Sequence, residues 1–284
     1  MDGVGLGASD AAVNPFAAAR TPFFKALLGG PLTAERDVID TPALQFRPLS
    51  ATLSCEGLPQ SATGQTALLT GRNGAELMGR HYGPWPGPTL KRALDEGTIF
   101  SEVAAKGGRV ALANAFPSGY FRAISEGKQK VNVPVYAVQR AGVKLLTRTD
   151  YDAGNAVSAD LDGGYLGTPQ PLAEAGARLA RIAAGNDLTF FDFWLSDTAG
   201  HRWTLGEAVK LTEKLDGFLA GVVPALGSAT LVLTSDHGNL EDKATRSHTR
   251  NPVPLLVIGP HAATFTGADT LLDVAPALRA VLGL

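Results

Sequence analysis

The run TSDHGN at 234–239 sets Asp236 beside His237 where the apolar run 229–233 ends and a glycine permits a tight turn. Asp197 and His201 form DTAGH directly after the apolar run 188–195, and His248 opens SHTRNPVP before the run 253–258. Carboxylates and imidazoles at such offsets, several at strand ends, are oxygen and nitrogen ligands for first-row divalent metals. The residues fall into two clusters, which points to two ions, and a pair of metals ~4 Å apart can clamp the attacking and leaving oxygens of an in-line displacement at phosphorus. Such chemistry also needs a nucleophile. GLPQSATGQTALLTGR, 57–72, offers Ser61, Thr63 and Thr66 ahead of an apolar helical stretch, whose N-terminus favours an anion. DGVGLG at the start adds Asp2, with glycines that let the backbone approach closely.

The elements that must position these groups alternate in the C-terminal half. Leu172, Ala175, Leu179 and Ile182 share one helical face, so 171–184 reads as an amphipathic helix feeding a strand at 188–195. Leu205, Ala208, Leu211, Leu215, Phe218 and Val222 recur at helical steps before the strand at 229–233, which is β-branched and uninterrupted as a strand covered on both faces should be. Alternation of this kind predicts an α/β three-layer sandwich around a mostly parallel central sheet. For His248 to reach the rim that carries Asp236, the strand it precedes must start there and run antiparallel to its neighbours. The tail TLLDVAPALRAVLGL reads as a closing helix, with Pro276 in its first turn. The middle, 73–164, is rich in Gly, Pro and scattered basic residues and reads as an inserted cap on a core of 1–72 and 165–284, with a strand at 110–113.

Composition narrows the function further. A chain of 284 residues buries a large core, and a net charge of −2 with 18% charged residues gives no bulk field for nucleic acid. The single cysteine, Cys55, excludes an intramolecular disulfide and a cysteine metal cluster, and is expected to be a small buried apolar residue. No apolar stretch approaches the ~20 residues of a membrane span, so neither membrane nor nucleic acid is an expected partner, and the expected location is cytoplasmic.

In order along the chain, DG(x)G at Asp2, GLPxxS…GR around Ser61, DxxGH at Asp197, DHGN at Asp236, HTxNPVP at His248 and LxDVAPxL around Asp273 resemble the alkaline phosphatase superfamily, nearest its cofactor-independent phosphoglycerate mutase and phosphopentomutase branch. The resemblance covers 1–72 and 185–284. It implies an alkaline phosphatase-like fold and two divalent ions, Mn2+ or Zn2+. One would be held by Asp197, His201 and His248, the other by Asp2, Asp236 and His237, with Ser61 bridging as nucleophile and Thr63 and Thr66 its rivals. A metal-activated hydroxyl would attack phosphorus and form a phosphoserine. Thr63, Arg80, His81, Arg202 and Arg250 are candidate substrate contacts, although His81 and Arg80 read first as loop residues. Where the family has Asn–Ser–Glu–Val–Gly–His, this chain has QSATGQ, placing Gln65 where a histidine stands. In the family the first Asp also follows a buried apolar strand, so a stretch of ~5–6 apolar residues, the usual strand length, is expected upstream of Met1. The function implied is phosphoryl transfer on a small phosphorylated metabolite, a phosphatase slightly ahead of a phosphomutase because the cap is short. A phosphodiesterase or nucleotide pyrophosphatase, or a non-catalytic metal-binding homologue, is the alternative.

Overall fold

The computed structural model describes residues 1–284. Its strands are β1 (Ile39–Asp40), β2 (Leu44–Leu49), β3 (Val110–Leu112), β4 (Ala115–Phe116), β5 (Leu146–Thr147), β6 (Leu188–Phe190), β7 (Leu231–Thr234) and β8 (Val253–Ile258). The longest sheet runs β1-β2-β8-β7 and is antiparallel throughout, with Thr234 opposite Leu255 and Leu44 opposite Ile258. The expected antiparallel course of β8 is observed. A mostly parallel sheet is not, since parallel pairing is confined to β3 with β6 and β4 with β5. The helices used below are α1 (Ser61–Thr70), α2 (Leu172–Ala184), α3 (Leu195–Arg202), α4 (Leu205–Val222) and α5 (Val274–Leu282).

Burial of both sheet faces makes the three layers. Along β8, Leu256 joins one apolar cluster with Phe218 and Leu215 of α4, while Val253, Leu255 and Val257 join another with Phe265, Leu271 and Val274. That division is the pleat's alternation with cover on each side. A capping box between Thr204 and Glu207 starts α4 where the periodicity placed it. The strand expected over 188–195 stops after Phe190. The side chain of Asn114 clasps the backbone of Asp192, accepting from its N–H and donating to its carbonyl at 2.8 Å each, and the chain then turns into α3.

Residues 88–143 are built into the core rather than set apart as an inserted cap over 73–164. Strand β3 pairs with β6, and Leu90, Phe100 and Val133 share one cluster with Ala62 and Leu69 of α1 and Ala275 of α5. The helices involved, such as Pro88–Glu96 and Ile99–Ala105, are short and separated by glycines, which hides their periodicity in the sequence. A small separate cluster joins Ala115 of β4 to Tyr151, Ala156 and Leu166, which follow this segment.

Strands β6 and β7 carry their C-terminal ends to the same place but do not pair with each other. Between them lies an apolar slot of about 220 Å³ walled by Leu188, Phe190, Leu231, Leu233 and Leu219. The first two residues close its end: the Met1 amino group donates to the Thr234 carbonyl at 2.7 Å, and the Asp2 N–H to the Phe193 carbonyl at 3.2 Å. Three buried polar atoms that line this slot, Thr189 Oγ1, Thr234 Oγ1 and Gln65 Oε1, have no hydrogen-bond partner. Cys55, expected to be buried, is only half-buried and free.

Candidate metal centre

Four segments meet at the rim past β6 and β7. Helix α3 carries Asp197 and His201, one turn apart and so on one face. The turn after β7 carries Asp236 and His237, both wholly buried. A loop paired to that turn, Thr249 N–H to Gly238 O at 3.0 Å, carries His248. The N-terminal loop brings Asp2. Gly3 there has φ +66, and the space for a Cβ is taken by Asp197 and Asn239, so only glycine lets Asp2 lie this close to Asp197.

The three histidines are oriented alike. The Nδ1 atoms of His201, His248 and His237 face the carbonyls of Arg246 at 2.6 Å, Pro59 at 2.7 Å and Gly238 at 3.2 Å. A carbonyl only accepts, so each Nδ1 carries a proton and each Nε2 is the atom turned toward the cluster. Those Nε2 atoms converge on carboxylates: His201 and His248 lie 3.3 and 3.5 Å from Asp197 Oδ1 and 3.1 Å from each other, and His237 lies 3.2 Å from Asp2 Oδ1. Two groupings have all their ligand atoms within 4.8 Å, Asp197–His201–His248 and Asp2–Asp197–His237. The first is the expected set. In the second Asp197 takes the place expected for Asp236, whose Oδ2 stands 3.8 Å from His237 Nε2.

The electrostatics favour cations. Burial, with Asp236 alongside, pushes the Asp2 carboxyl up to about 8. Burial alone would lower His237, but Asp236, Asp2 and Asp197 around it raise its imidazole to about 10. Asp197 falls to about 2 although burial opposes this, because His248, His237 and Asn239 face it. One side-chain amide, Gln65 Nε2, donates to Asp2 Oδ2 at 3.1 Å and Asp236 Oδ2 at 2.8 Å, holding the two carboxyl groups side by side. This donor set, imidazole Nε2 and carboxylate oxygen with the second ring nitrogen tethered, fits divalent first-row ions.

Ser61, buried at the first position of α1, sets its Oγ 2.9 Å from His237 Nε2 and 3.5 Å from Asp2 Oδ1. Its rivals point elsewhere. Thr63 Oγ1 donates to the Gln60 carbonyl at 2.9 Å and Thr66 Oγ1 to the Ala62 carbonyl at 2.6 Å. His81 is half-buried with both ring nitrogens unpaired, and its imidazole is held low by burial and by Arg250 and His237 nearby. Arg250 donates to the Gly57 carbonyl at 2.9 Å in the loop before Ser61. Arg80 is exposed over the Tyr82 ring, and Arg202 is exposed on α3. Sequence reasoning missed Asn239, which donates to Asp197 Oδ1 at 2.7 Å, and Glu241, although both lie in the DHGNLE run. It also missed Lys243, which caps the carbonyls of Ala199 and Gly200 below His201.

A layered α/β fold that gathers Asp and His side chains at strand ends, with a hydroxyl among them, is the arrangement a metalloenzyme requires. The chain belongs to the metalloenzyme superfamily, whose family model matches residues 1–284. It is similar to the 2,3-bisphosphoglycerate-independent phosphoglycerate mutases of Serratia proteamaculans (39% identical over 116 residues) and Ruegeria pomeroyi (37% over 112). These matches cover 37% and 36% of this chain and 22% of each relative, so the chain matches under a quarter of the length of those curated proteins. Among solved structures, the alkaline phosphatases of the Antarctic bacterium TAB5 (TM-score 0.58) and Shewanella sp. (TM-score 0.60) are each 13% identical. They cover 99% of this chain, and 96% and 98% of their own. The fold is therefore alkaline phosphatase-like.

Proposed function

We propose that this chain transfers a phosphoryl group from a small phosphorylated metabolite to water through a phosphoserine at Ser61, with two divalent ions, Mn2+ or Zn2+. The observation that carries the reading is the placement of Ser61 Oγ, at a helix N-terminus and within 3.5 Å of both a carboxylate and an imidazole of the ligand cluster. When bound, the ions supply Lewis-acid charge that lowers the hydroxyl's pKa and offsets charge on the phosphoryl oxygens. The rest is done by the protein. Ser61, held between Asp2 and His237, gives its proton up to solvent as its oxygen bonds to phosphorus in line; the bond from phosphorus to the departing oxygen breaks on the far side, and that oxygen takes a proton from solvent. The N-terminal end of α1 favours the phosphate's negative charge. Arg250, which bonds the loop that carries Ser61, and His81, close to that loop, would be the side chains to contact substrate in this reading, ahead of Arg80 and Arg202.

Water then discharges the phosphoserine. A second hydroxyl would make the protein a mutase, and the identity with phosphoglycerate mutases over 116 residues supports that second reading. A mutase must keep water from the phosphoserine, and the short 73–164 segment, much of it committed to the core, favours hydrolysis. No helix is long and apolar enough to cross a membrane. The test is to assay Mn2+- or Zn2+-loaded protein against a panel of phosphomonoesters, sugar phosphates and diesters, following free phosphate and isomerised product separately. Phosphate release confined to monoesters supports the reading. Isomerisation without release supports the mutase, and no turnover of any phosphate ester refutes both.

A further inference from the structure

Glu241 is a buried carboxylate with no cation beside it. It is 1% exposed, and its four hydrogen-bond partners are all uncharged. Oε2 accepts the backbone N–H of Gly5 and of Asn239, each at 2.8 Å. Oε1 accepts the Thr249 hydroxyl and the Asn251 side-chain amide, the latter at 3.0 Å. Gly5 lies three residues after Asp2, Asn239 two after His237, and Thr249 one after His248. One side chain thus joins the three separate loops that deliver ligands to both metal groupings. Space has been cleared for it: a Cβ on Gly5 or on Gly238 would run into this carboxylate. A buried ion costs several kcal/mol unless hydrogen bonds compensate, and the bonds that compensate this one are those that fix the loops.

We infer that Glu241 is a positioning residue for the metal centre, setting the spacing of Asp2, His237 and His248 through their backbones without touching an ion. The inference rests on the proposed use of those residues as ligands. Partners that orient metal ligands from behind are worth roughly 10–100-fold in affinity.

The test is calorimetric titration of Mn2+ into the metal-free full chain, for the wild type, Glu241→Met, Glu241→Gln and a control, Leu211→Ala. Leu211 is buried in the α4 cluster and is none of the candidate ligands. Glu241→Met keeps the bulk and removes all four accepted bonds, so both dissociation constants should rise tenfold or more. Glu241→Gln has one oxygen that can still accept from Gly5 and Asn239, so it should restore most of the affinity where Asp2 and His237 bind and less at His248. Leu211→Ala, at a comparable loss of Tm, should leave both constants unchanged. Wild-type affinity in Glu241→Met, or equal weakening in the control, overturns the inference while leaving the metal reading intact. Should Glu241→Met not fold, unequal loss at the two sites in Glu241→Gln supports the inference, and equal loss or none overturns it. A wild type that takes up no Mn2+ overturns both readings.

Discussion

The slot between β6 and β7 makes a quantitative prediction. Its width is one polypeptide strand, because residues 1 and 2 bond to both walls at its end, to Thr234 O and to Phe193 O. Its length is set by β7, four residues. An engineered extension that joins four apolar β-formers, such as Val-Ile-Val-Ile, to the nitrogen of Met1 should therefore lie in the slot as a strand. Four buried aliphatic side chains stabilise by about 8 kcal/mol at ~2 each, and about four ladder hydrogen bonds add about 4 at ~1 each. Ordering four residues costs about 9, at roughly 1.5 for each backbone and 0.7 for each side chain. The net gain is about 3 kcal/mol.

For a chain of this size that corresponds to a rise in Tm of roughly 5 °C, at ~1.7 °C per kcal/mol. Scanning calorimetry of the metal-free protein measures it, against a Gly-Ser-Gly-Ser extension as control. Hydrogen exchange should at the same time slow at β6 and β7 amides that face the slot and at no other strand. An apolar extension that raises Tm no more than the Gly-Ser one, with exchange at β6 and β7 unchanged, would refute the strand-width argument. Burial of the extension should also hold Asp2 more firmly, so Mn2+ should bind more tightly to the extended protein.

Further expectations concern the site. Ser61→Ala should lower turnover at least about a thousandfold with Tm and metal content retained; acid trapping of the wild type with peptide mass spectrometry should find phosphate on Ser61, and its appearance on Thr63 would overturn the assignment. Elemental analysis of the loaded protein should approach two ions per chain, and a reproducible value of one or less would remove the dinuclear centre. Asp192, buried and with its carboxyl pushed up to about 6 by that burial, destabilises the fold when it ionises. Because its folded pKa lies above the ordinary 3.8, its contribution is most favourable below pH 4 and is lost as pH rises through 6, so Asp192→Asn should raise Tm by several degrees at pH 8 and by little at pH 4. Equal effects at both pH values would contradict the burial argument. His81→Ala should raise the KM for a phosphomonoester severalfold and leave metal content unchanged; an unaltered KM would place the substrate elsewhere.

What could be read from the sequence was local. Asp236 and His237 announce themselves because an apolar run stops and a glycine follows, and Asp197 and His201 because DTAGH follows directly on another apolar run. The antiparallel course of β8 followed from the demand that His248 share their rim, and the ladder Thr234↔Leu255 bears it out. What could not be read were contacts whose partners are far apart in the chain. Asn114 stops β6 from 78 residues away, and Gln65 spans carboxylates 63 and 171 residues distant, neither leaving a periodic trace. The helices of 88–143 were hidden for a different reason: each is too short to show more than two apolar turns, and their burial comes from α1 and α5, which the sequence places elsewhere.

The same distinction explains why the candidate ligand residues could be picked out and the geometry that gathers them could not. Each ligand is marked by its own neighbours, but its coordinates depend on groups that hold the loops together, and those groups are polar residues inside the motifs. Asn239 faces Asp197, Lys243 ties down the end of α3, and Glu241 bonds the N-terminal, DHGN and HTRNP loops at once. In a run such as DHGNLE the outward signal is the Asp–His pair, while the Asn and Glu read as ordinary turn polarity. Buried as they are, 0% and 1% exposed, they would cost stability if they had no such bonds to make. Polar side chains within a few residues of metal ligands, flanked by glycines that clear their space, are therefore the place to look for the parts that set a site's geometry.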